Sequence, residues 1–457
     1  MRTPAGRVLI AILLLAVVLR LALALALGDG ITEVRGGTYD QISYDALAQR
    51  VATGYGFTFA SDWWPLARAG QPTAFWSYLY TLFLAGVYTL FGPHPLAARL
   101  IQAVLVGVLL PWLLYRIGRR TFGATVGLVA AGLAVVYLYF ITYAATLMTE
   151  SLYIVGILWT LDVAMRLAER LALPAPRVPW GLGLELGVAM AYTLLMRQVI
   201  VVFLGVVVLW LLWLAARRHA AGRALAALAI AGVVAFVLIL PFSIRNYLVF
   251  GEVSMPNTNV GINFFWANHP IYGTHFEPVL SPEHGVSYQD LIPPEVRSLN
   301  EVAMDRALLA RGVGFVVADP GRYVLLSLSR IPVYFLFWPT RASSLLSNVS
   351  RVLSFTITLP FMLWGLALAV RRLKRRHDTS AVLPAGVSPL WPAFIVLLLL
   401  FASTYTAIHL ASWANVRYRL PVDAVLLIFA AYALTRLYVQ TFKRSNVIAR
   451  YRGRPRR

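Results

Sequence analysis

Two acidic residues lie where a carboxylate could do chemistry. Asp40 comes soon after the first long apolar stretch of the chain, and Glu150 lies between the third and fourth such stretches. If these stretches cross a membrane, both acids lie at its boundary, where carboxylates are costly and tend to be functional. A carboxylate partly withdrawn from water suits the deprotonation of a hydroxyl. The structural alternatives stay open: Asp40 could be a helix N-terminal or solvated loop acid, and Glu150 could pair with an arginine.

A group of arginines accompanies these acids at the ends of apolar stretches. Arg197 and Arg245 follow such stretches, and Arg417 and Arg419 flank Tyr418 just before the last one. Guanidinium groups bind phosphate oxygens through two parallel hydrogen bonds. The pattern therefore favours a phosphate-binding role for Arg417 and Arg419. The alternative is that these side chains extend to lipid headgroups, and this alternative is favoured for Arg245.

The composition indicates the class of protein that must position these residues. The chain has 457 residues, of which 60% are hydrophobic and 13% charged, with a mean hydropathy of +0.72. A soluble protein carries roughly 25% charged residues. Apolar stretches of about 20 residues recur, and each is long enough to cross a bilayer as a helix. We therefore predict an all-α polytopic membrane protein with about ten transmembrane helices.

The basic residues predict the orientation of these spans. The predicted spans are Val8–Gly28, Leu96–Tyr115, Ala124–Tyr143, Ser151–Leu167, Gly181–Val201, Val202–Leu214, Ala224–Ser243, Val352–Val370, Leu390–His409 and Pro421–Tyr438. Arg and Lys clusters precede the first span and follow the second, fourth, sixth, eighth and tenth. With both termini in the cytoplasm, all of these clusters lie inside. The net charge of +21 is thereby explained without nucleic acid as a partner. The first apolar run is too long for a cleaved signal peptide, so we expect it to remain as a span.

Two large loops are predicted on the outer face, at about 29–95 and 245–351, within a single membrane-embedded domain covering 1–457. Most acidic residues fall in these loops, so any chemistry is expected to face outward. We predict four helices in them, two amphipathic and two juxtamembrane: Ser43–Val51 with Gly54 near its end, Tyr78–Phe91, about Asn300–Val317, and Tyr323–Trp338. A basic cytoplasmic tail is expected at 441–457.

Other chemical signatures are weak. The histidines of the outer regions are His94, His269, His275, His284 and His409, and none forms an HExxH pattern with a carboxylate. The chain has no cysteine, and it contains no P-loop and no dinucleotide-binding glycine pattern. The sequence therefore indicates no specific cofactor, while a divalent metal stays an open alternative.

At these same residues the sequence resembles the GT-C superfamily of membrane glycosyltransferases. It is most similar to the bacterial branch related to protein O-mannosyltransferases (family 39) and lipid A aminoarabinose transferases. The similar segments are Asp40-x-x-x-Tyr44 followed by Ala46-Leu47-Ala48, Pro72-Thr73-Ala74-Phe75-x-x-Tyr78-Leu79-Tyr80, Thr149-Glu150-Ser151-Leu152-Tyr153, Arg245-Asn246-Tyr247 and Arg417-Tyr418-Arg419-Leu420-Pro421. The resemblance covers nearly the whole chain, but the family often has Pro or Arg near Trp76-Ser77, where this chain has neither.

The resemblance implies an activity and roles for the candidate residues. It implies inverting transfer of a sugar from a polyprenyl-phosphate donor to an acceptor hydroxyl, with Asp40 as general base. Glu150 matches the second outer acidic position of the family, which helps to position the acceptor, a metal or the base. Arg417 and Arg419, with Arg197, would hold the donor phosphate. Further candidate substrate-binding residues are Tyr44, Tyr418 and Arg245.

A second function class is a transporter or flippase for a polyprenyl phosphate or lipid-linked sugar, and a third is a non-catalytic membrane protein of polymer assembly. A flippase should line a path through the membrane with polar residues, whereas the polar residues inside the spans are few, among them Arg20, Asp162 and Glu185. We therefore favour the glycosyltransferase. Its expected partners are the lipid-linked donor, a lipid, glycan or protein acceptor, and membrane lipids.

Overall fold

The computed structural model describes residues 4–31, 40–174, 177–341, 343, 345–375 and 383–452, with side chains described as far as 441. Within these ranges the chain is helical and contains no β-strand, only isolated bridges between 58 and 72. The α-helices are α1 (Pro4–Leu27), α2 (Asp40–Ala52), α3 (Tyr78–Phe91), α4 (Pro95–Phe122), α5 (Ala124–Val136), α6 (Leu138–Ala144), α7 (Glu150–Ala172), α8 (Trp180–Met196), α9 (Val201–Ala216), α10 (Ala221–Phe250), α11 (Val260–Asn268), α12 (Glu301–Ala318), α13 (Pro320–Tyr334), α14 (Leu345–Arg351), α15 (Ile357–Lys374), α16 (Trp391–Ala411) and α17 (Leu420–Arg452). The predicted tail at 441–457 begins inside α17, and its residues 453–457 lie outside the described part.

The all-α membrane architecture is confirmed. In the described ranges eight helices are long and apolar enough to cross a membrane, and the bent pair α5–α6 raises the number to nine. The remaining predicted span, Gly181–Val201, corresponds to α8, an apolar helix of 17 residues. Every predicted span thus coincides with a helix, and the number of about ten is approximately correct.

The third predicted span is broken in the middle. Its two parts, α5 and α6, meet at an angle of 61°. Tyr137 lies at the break with an extended backbone, at φ −73° and ψ 99°. Its buried hydroxyl donates a hydrogen bond to Asp423 Oδ2 at 2.7 Å, so the break is tied to α17.

Glycines allow several of these helices to approach each other closely. A Cβ built on Gly365 of α15 would lie only 1.8 Å from the carbonyl oxygen of Phe429 of α17. A Cβ on Gly187 of α8 would lie 2.5 Å from the carbonyl oxygen of Ala231 of α10. Small residues serve this purpose in membranes because helix association there depends on close packing.

The two large loops contain the predicted helices, with corrected bounds. Helix α2 begins at Asp40, so this acid lies in the first helical turn, where a negative charge is favourable; it does not precede the helix as expected. Helix α3 has the predicted bounds, and α12 begins after Asn300, whose side chain caps it. Helix α13 ends at Tyr334, four residues before the predicted end at Trp338.

Candidate active site

Four residues that are distant in the sequence meet in one chain of ion pairs. Arg417 Nη1 contacts Asp40 Oδ2 and lies 3.5 Å from Glu150 Oε1. Arg197 Nη1 lies 3.0 Å from the same Glu150 oxygen. The four side chains come from the start of α2, the start of α7, the C-terminal end of α8 and the short 3₁₀ helix Val416–Arg419 before α17. The fold therefore joins both candidate acids and two of the candidate arginines. We call these four residues the acid cluster.

The charged groups of this cluster are largely buried and are paired with one another. The Glu150 side chain is 3% exposed and that of Arg417 is 11% exposed, so their charges are weakly screened by water. Two carboxylates face two guanidinium groups, and the four formal charges cancel. Glu150 Oε2 is buried and has no hydrogen-bond partner among the described residues. A buried acceptor without a donor is costly.

Local backbone breaks point the two arginines into the cluster. Helix α8 ends because Arg197 adopts an extended backbone, with φ −154° and ψ 113°. Arg417 lies in the 3₁₀ helix, where Asn415 Oδ1 accepts a hydrogen bond from its backbone N–H at 3.1 Å. Tyr418 lies between the two arginines: its hydroxyl accepts a hydrogen bond from Arg417 Nη2 at 3.2 Å, and its ring centroid lies 4.8 Å from Arg197 Cζ. The ring therefore supports both guanidinium groups.

Tyr44 lies one helical turn after Asp40 and connects α2 to the start of α3. Its hydroxyl accepts a long hydrogen bond of 3.4 Å from the Ser77 backbone N–H, and its ring packs edge-on against Trp76 and Tyr80. Burial, reinforced by the charge of Asp40, raises the pKa of the Tyr44 hydroxyl well above its ordinary value. The hydroxyl therefore stays neutral and keeps its proton near the acid cluster.

The structure does not bring Arg419 into this cluster. Its guanidinium is fully buried, forms an ion pair with Asp423 at 2.9 Å and donates to the Tyr334 carbonyl at 2.7 Å. Arg417 and Arg419 are two residues apart in a 3₁₀ helix. Because such a helix has three residues per turn, their side chains point in different directions. Arg419 thus joins α17 to the chain near Tyr334, and we assign it a structural role.

Arg245 also lies apart from the acid cluster. It donates hydrogen bonds to the Thr73 carbonyl at 3.1 Å and to the Tyr78 hydroxyl at 2.5 Å. It also lies near the rings of Phe57 and Phe250. These contacts connect the end of α10 to the first large loop.

The structural role of Arg419 gives a testable expectation. Arg419→Met should destabilise the protein by about 3–5 kcal/mol, because Asp423 would be left as a buried, uncompensated charge. Thermal unfolding of the purified protein in detergent measures the effect. The double variant Arg419→Met/Asp423→Leu should recover much of the loss, since both charges are then removed. Arg436→Met, on the exposed face of the same helix, is the matched control, and a loss there as large as for Arg419 would contradict the assignment.

Two polar residues next to the cluster were missed by the sequence analysis. Gln41 Oε1 accepts a hydrogen bond from the Leu147 backbone N–H at 3.1 Å and so ties α2 to the turn before Glu150. Gln198, which follows Arg197, is bonded to the second large loop. Their partners are mainly backbone groups, so no spacing of side chains could have indicated either contact.

Histidines contribute little to this site. His284 pairs with Glu277 at 3.4 Å, and His94 lies 3.7 Å from Asp29 at the surface. His409 is buried, its Nδ1 lies 3.2 Å from the Trp413 carbonyl, and its ring stacks on Tyr418. Among the described residues, no group of three or more His, Asp or Glu side chains is arranged to hold a metal ion.

Part of the sequence matches a known protein family. Residues 77–244 match the family described as Dolichyl-phosphate-mannose-protein mannosyltransferase. The matched segment contains Glu150 and Arg197, whereas Asp40 and Arg417 lie outside it. No curated protein matches the sequence significantly.

Solved structures extend the similarity to the whole fold. The apo crystal structure of the Archaeoglobus fulgidus oligosaccharyltransferase aligns with 100% of this chain and 53% of its own, with a TM-score of 0.58 and 15% identity. The AglB oligosaccharyltransferase of the same organism, in complex with an inhibitory peptide and a dolichol-phosphate, aligns with 99% of this chain and 52% of its own, with a TM-score of 0.56 and 15% identity. This chain thus spans about half the length of those enzymes.

ArnT from Cupriavidus metallidurans, in the apo state, aligns with 94% of this chain and 78% of its own, with 16% identity and a lower TM-score of 0.41. The chain is thus similar in sequence to the mannosyltransferase family over residues 77–244, and its overall fold resembles that of the archaeal oligosaccharyltransferase.

Proposed function

We propose that this protein is a glycosyltransferase that moves a sugar from a polyprenyl-phosphate carrier to an acceptor hydroxyl. The observation that carries the proposal is the convergence of Asp40, Glu150, Arg197 and Arg417 from four separate elements. A base and a cationic group that binds the phosphate are sufficient for such a transfer, and this cluster contains both. The whole chain, 1–457, would act as one catalytic membrane domain.

The reaction is a single displacement at the anomeric carbon. Asp40 takes the proton of the acceptor hydroxyl as its oxygen bonds to the sugar. The bond between the sugar and the phosphate oxygen breaks, and its electron pair stays on the departing polyprenyl phosphate. Arg417 and Arg197 stabilise the charge that develops there. Because the acceptor attacks opposite the leaving group, the configuration of the sugar is inverted.

Glu150 completes the arrangement. Its Oε1 holds both guanidinium groups, at 3.0 Å and 3.5 Å, so it fixes the two cations relative to each other. Its unpaired Oε2 would accept a hydrogen bond from a sugar or acceptor hydroxyl. Tyr44 and Tyr418 border the same cluster and would line the substrate site.

The choice of donor has support from the compared proteins. The description of the matched family names dolichyl-phosphate-mannose, and the AglB structure is a complex with a dolichol-phosphate. A phosphate monoester that leaves as a stabilised anion needs no strong general acid. The acceptor class is a lipid, glycan or protein hydroxyl.

The transporter alternative has less support from the buried charges. Asp162 is enclosed by Arg116, Arg120 and Arg166, at 2.6–3.0 Å. Arg20 donates hydrogen bonds to two backbone carbonyls, of Ala16 and Ala134. Asp162 is thus paired with arginines and Arg20 with backbone carbonyls inside the helix bundle, so both are poorly suited to line a path for a phosphate headgroup.

A transfer assay tests the proposal. The purified full chain would be incubated with undecaprenyl-phosphate mannose or glucose carrying a labelled sugar, together with membranes from the host cell as the acceptor source. We expect label to appear in a lipid, glycan or protein fraction, with release of undecaprenyl phosphate. Movement of the labelled donor across proteoliposomes without release of the carrier would instead support the flippase.

We further propose that both termini are cytoplasmic and that the site faces outward from the inner (cell) membrane, as the basic clusters indicate. The chain has no cysteine, so single introduced cysteines report topology without background. Ser61→Cys and Thr274→Cys, at exposed positions of the two large loops, should react with a membrane-impermeant maleimide in intact spheroplasts. Arg218→Cys should react only after lysis, and the opposite pattern would reverse the proposed orientation.

A further inference from the structure

Gln198 uses both ends of its side-chain amide to bind the second large loop. Its Nε2 donates to the Asn257 carbonyl at 2.8 Å and to Asn259 Oδ1 at 3.0 Å, and its Oε1 accepts from the Asn257 N–H at 3.2 Å. Gln198 and Asn257 are each about 5% exposed. A buried amide with three partners fixes the backbone that carries it. Because Arg197 is the preceding residue, fixing the backbone at Gln198 also restrains the backbone of Arg197.

Residues 257–259 of the second large loop also bind the first large loop. Asn257 Nδ2 donates to the Trp76 carbonyl at 2.6 Å and to the Ala74 carbonyl at 3.2 Å. Asn259 Nδ2 donates to the Phe75 carbonyl at 2.9 Å. Segment 257–259 therefore lies as a strap between Gln198 and the backbone of residues 74–76.

Both ends of this strap lead to the acid cluster. On one side, Arg197 directly precedes Gln198 in the chain and forms an ion pair with Glu150. On the other side, the Trp76 ring packs against Tyr44, which lies one turn from Asp40 in α2. The strap thus spans the distance between a phosphate-binding cation and the helix that carries the base.

We propose that Gln198 and Asn257 are positioning residues of the transferase. Through the strap 257–259 they keep the Arg197 guanidinium in place beside Glu150. This inference rests on the proposed function. Neither residue touches the substrate in this scheme. Their effect is exerted through Arg197, because a reactive geometry tolerates little displacement.

The effect on donor binding is measurable without turnover. Binding of undecaprenyl phosphate to the purified full chain would be titrated for wild type, Gln198→Met, Arg197→Met and the double variant. Gln198→Met keeps the side-chain length and removes all three hydrogen bonds, and we expect about tenfold weaker binding. Because Gln198 acts through Arg197, the double variant should bind no more weakly than Arg197→Met alone.

Matched variants separate positioning from general stabilisation. Gln289→Met makes the same substitution at a glutamine that also joins the two loops, through the Pro65 carbonyl at 2.7 Å. It should bind undecaprenyl phosphate as wild type does. If Gln198→Met does not fold, as judged by thermal unfolding, Gln198→Asn tests the same contacts with a shorter amide. Asn257→Asp should weaken binding as Gln198→Met does, because its carboxylate cannot donate to the carbonyls of Ala74 and Trp76.

The outcomes distinguish the two proposals. Wild-type affinity in the Gln198 variant, or a double variant whose loss equals the full product of the single losses, would overturn the positioning role while leaving the transferase intact. A wild-type chain that neither binds undecaprenyl phosphate nor transfers sugar would overturn the proposed function, and the positioning role with it.

Discussion

Replacement of Asp40 by asparagine is expected to lower the rate of sugar transfer by about 10²–10⁴-fold, the usual contribution of a general base. The introduced amide keeps the size of the side chain and an oxygen that can accept from Arg417, but it cannot take up a proton. Binding of the lipid donor should therefore change little. Single-turnover transfer at saturating donor, with binding measured separately by titration of undecaprenyl phosphate, resolves the two effects.

Asp45 provides the matched control for this experiment. It lies on the same helix, five residues later, and its carboxylate accepts hydrogen bonds from Tyr88 at 2.6 Å and Gln49 at 2.8 Å, away from the acid cluster. Asp45→Asn should retain near wild-type turnover. Transfer by Asp40→Asn at more than about a tenth of the wild-type rate would remove Asp40 from the role of base, since that role predicts a much larger loss.

Replacement of Arg417 by lysine should lower kcat/KM by about 100-fold or more. Lysine keeps the positive charge, but a single ammonium group cannot reproduce the planar fork that reaches Asp40, Glu150 and Tyr418 together. Loss of one hydrogen-bond donor to a developing oxyanion costs about 10²–10³ in rate. The loss should appear both as weaker binding of undecaprenyl phosphate and as slower transfer at saturating donor.

Arg322→Lys is the control for Arg417. Arg322 also makes several hydrogen bonds, to the carbonyls of Asn268 at 2.8 Å and Gly273 at 3.2 Å, but it lies in the second large loop away from the acids. It should change kcat/KM by less than severalfold. An Arg417→Lys enzyme with unchanged affinity for undecaprenyl phosphate would show that the donor phosphate is held elsewhere.

The architecture could be predicted because its signals are local. Each span is read from a stretch of about 20 apolar residues, since a backbone in lipid must satisfy its own hydrogen bonds within a helix. The predicted spans accordingly fall on helices, and the short helix α3 was predicted with its observed bounds. The break at Tyr137 was missed, because it is stabilised by contact with Asp423, 286 residues away in the sequence.

The site was only partly predictable for a related reason. Residue type and position near a span end, together with the family resemblance, selected Asp40, Glu150, Arg197 and Arg417, and the fold brings these four together. The same reasoning also assigned Arg419 to the donor phosphate, although its guanidinium is buried against Asp423. Two arginines separated by one tyrosine have equivalent local sequences, and only their surroundings in three dimensions distinguish them.

The sequence by itself determined the class of protein, the set of apolar helices and the residue types available at their ends. The tertiary structure decided which acids and arginines lie together. It also decided that the strap 257–259 connects Gln198 to the first large loop, and that Glu150 Oε2 has no hydrogen-bond partner among the described residues. The physical reason is that apolar burial in a membrane acts on every segment separately, whereas an ion pair or a buried amide requires partners that only the complete packing brings within hydrogen-bonding distance.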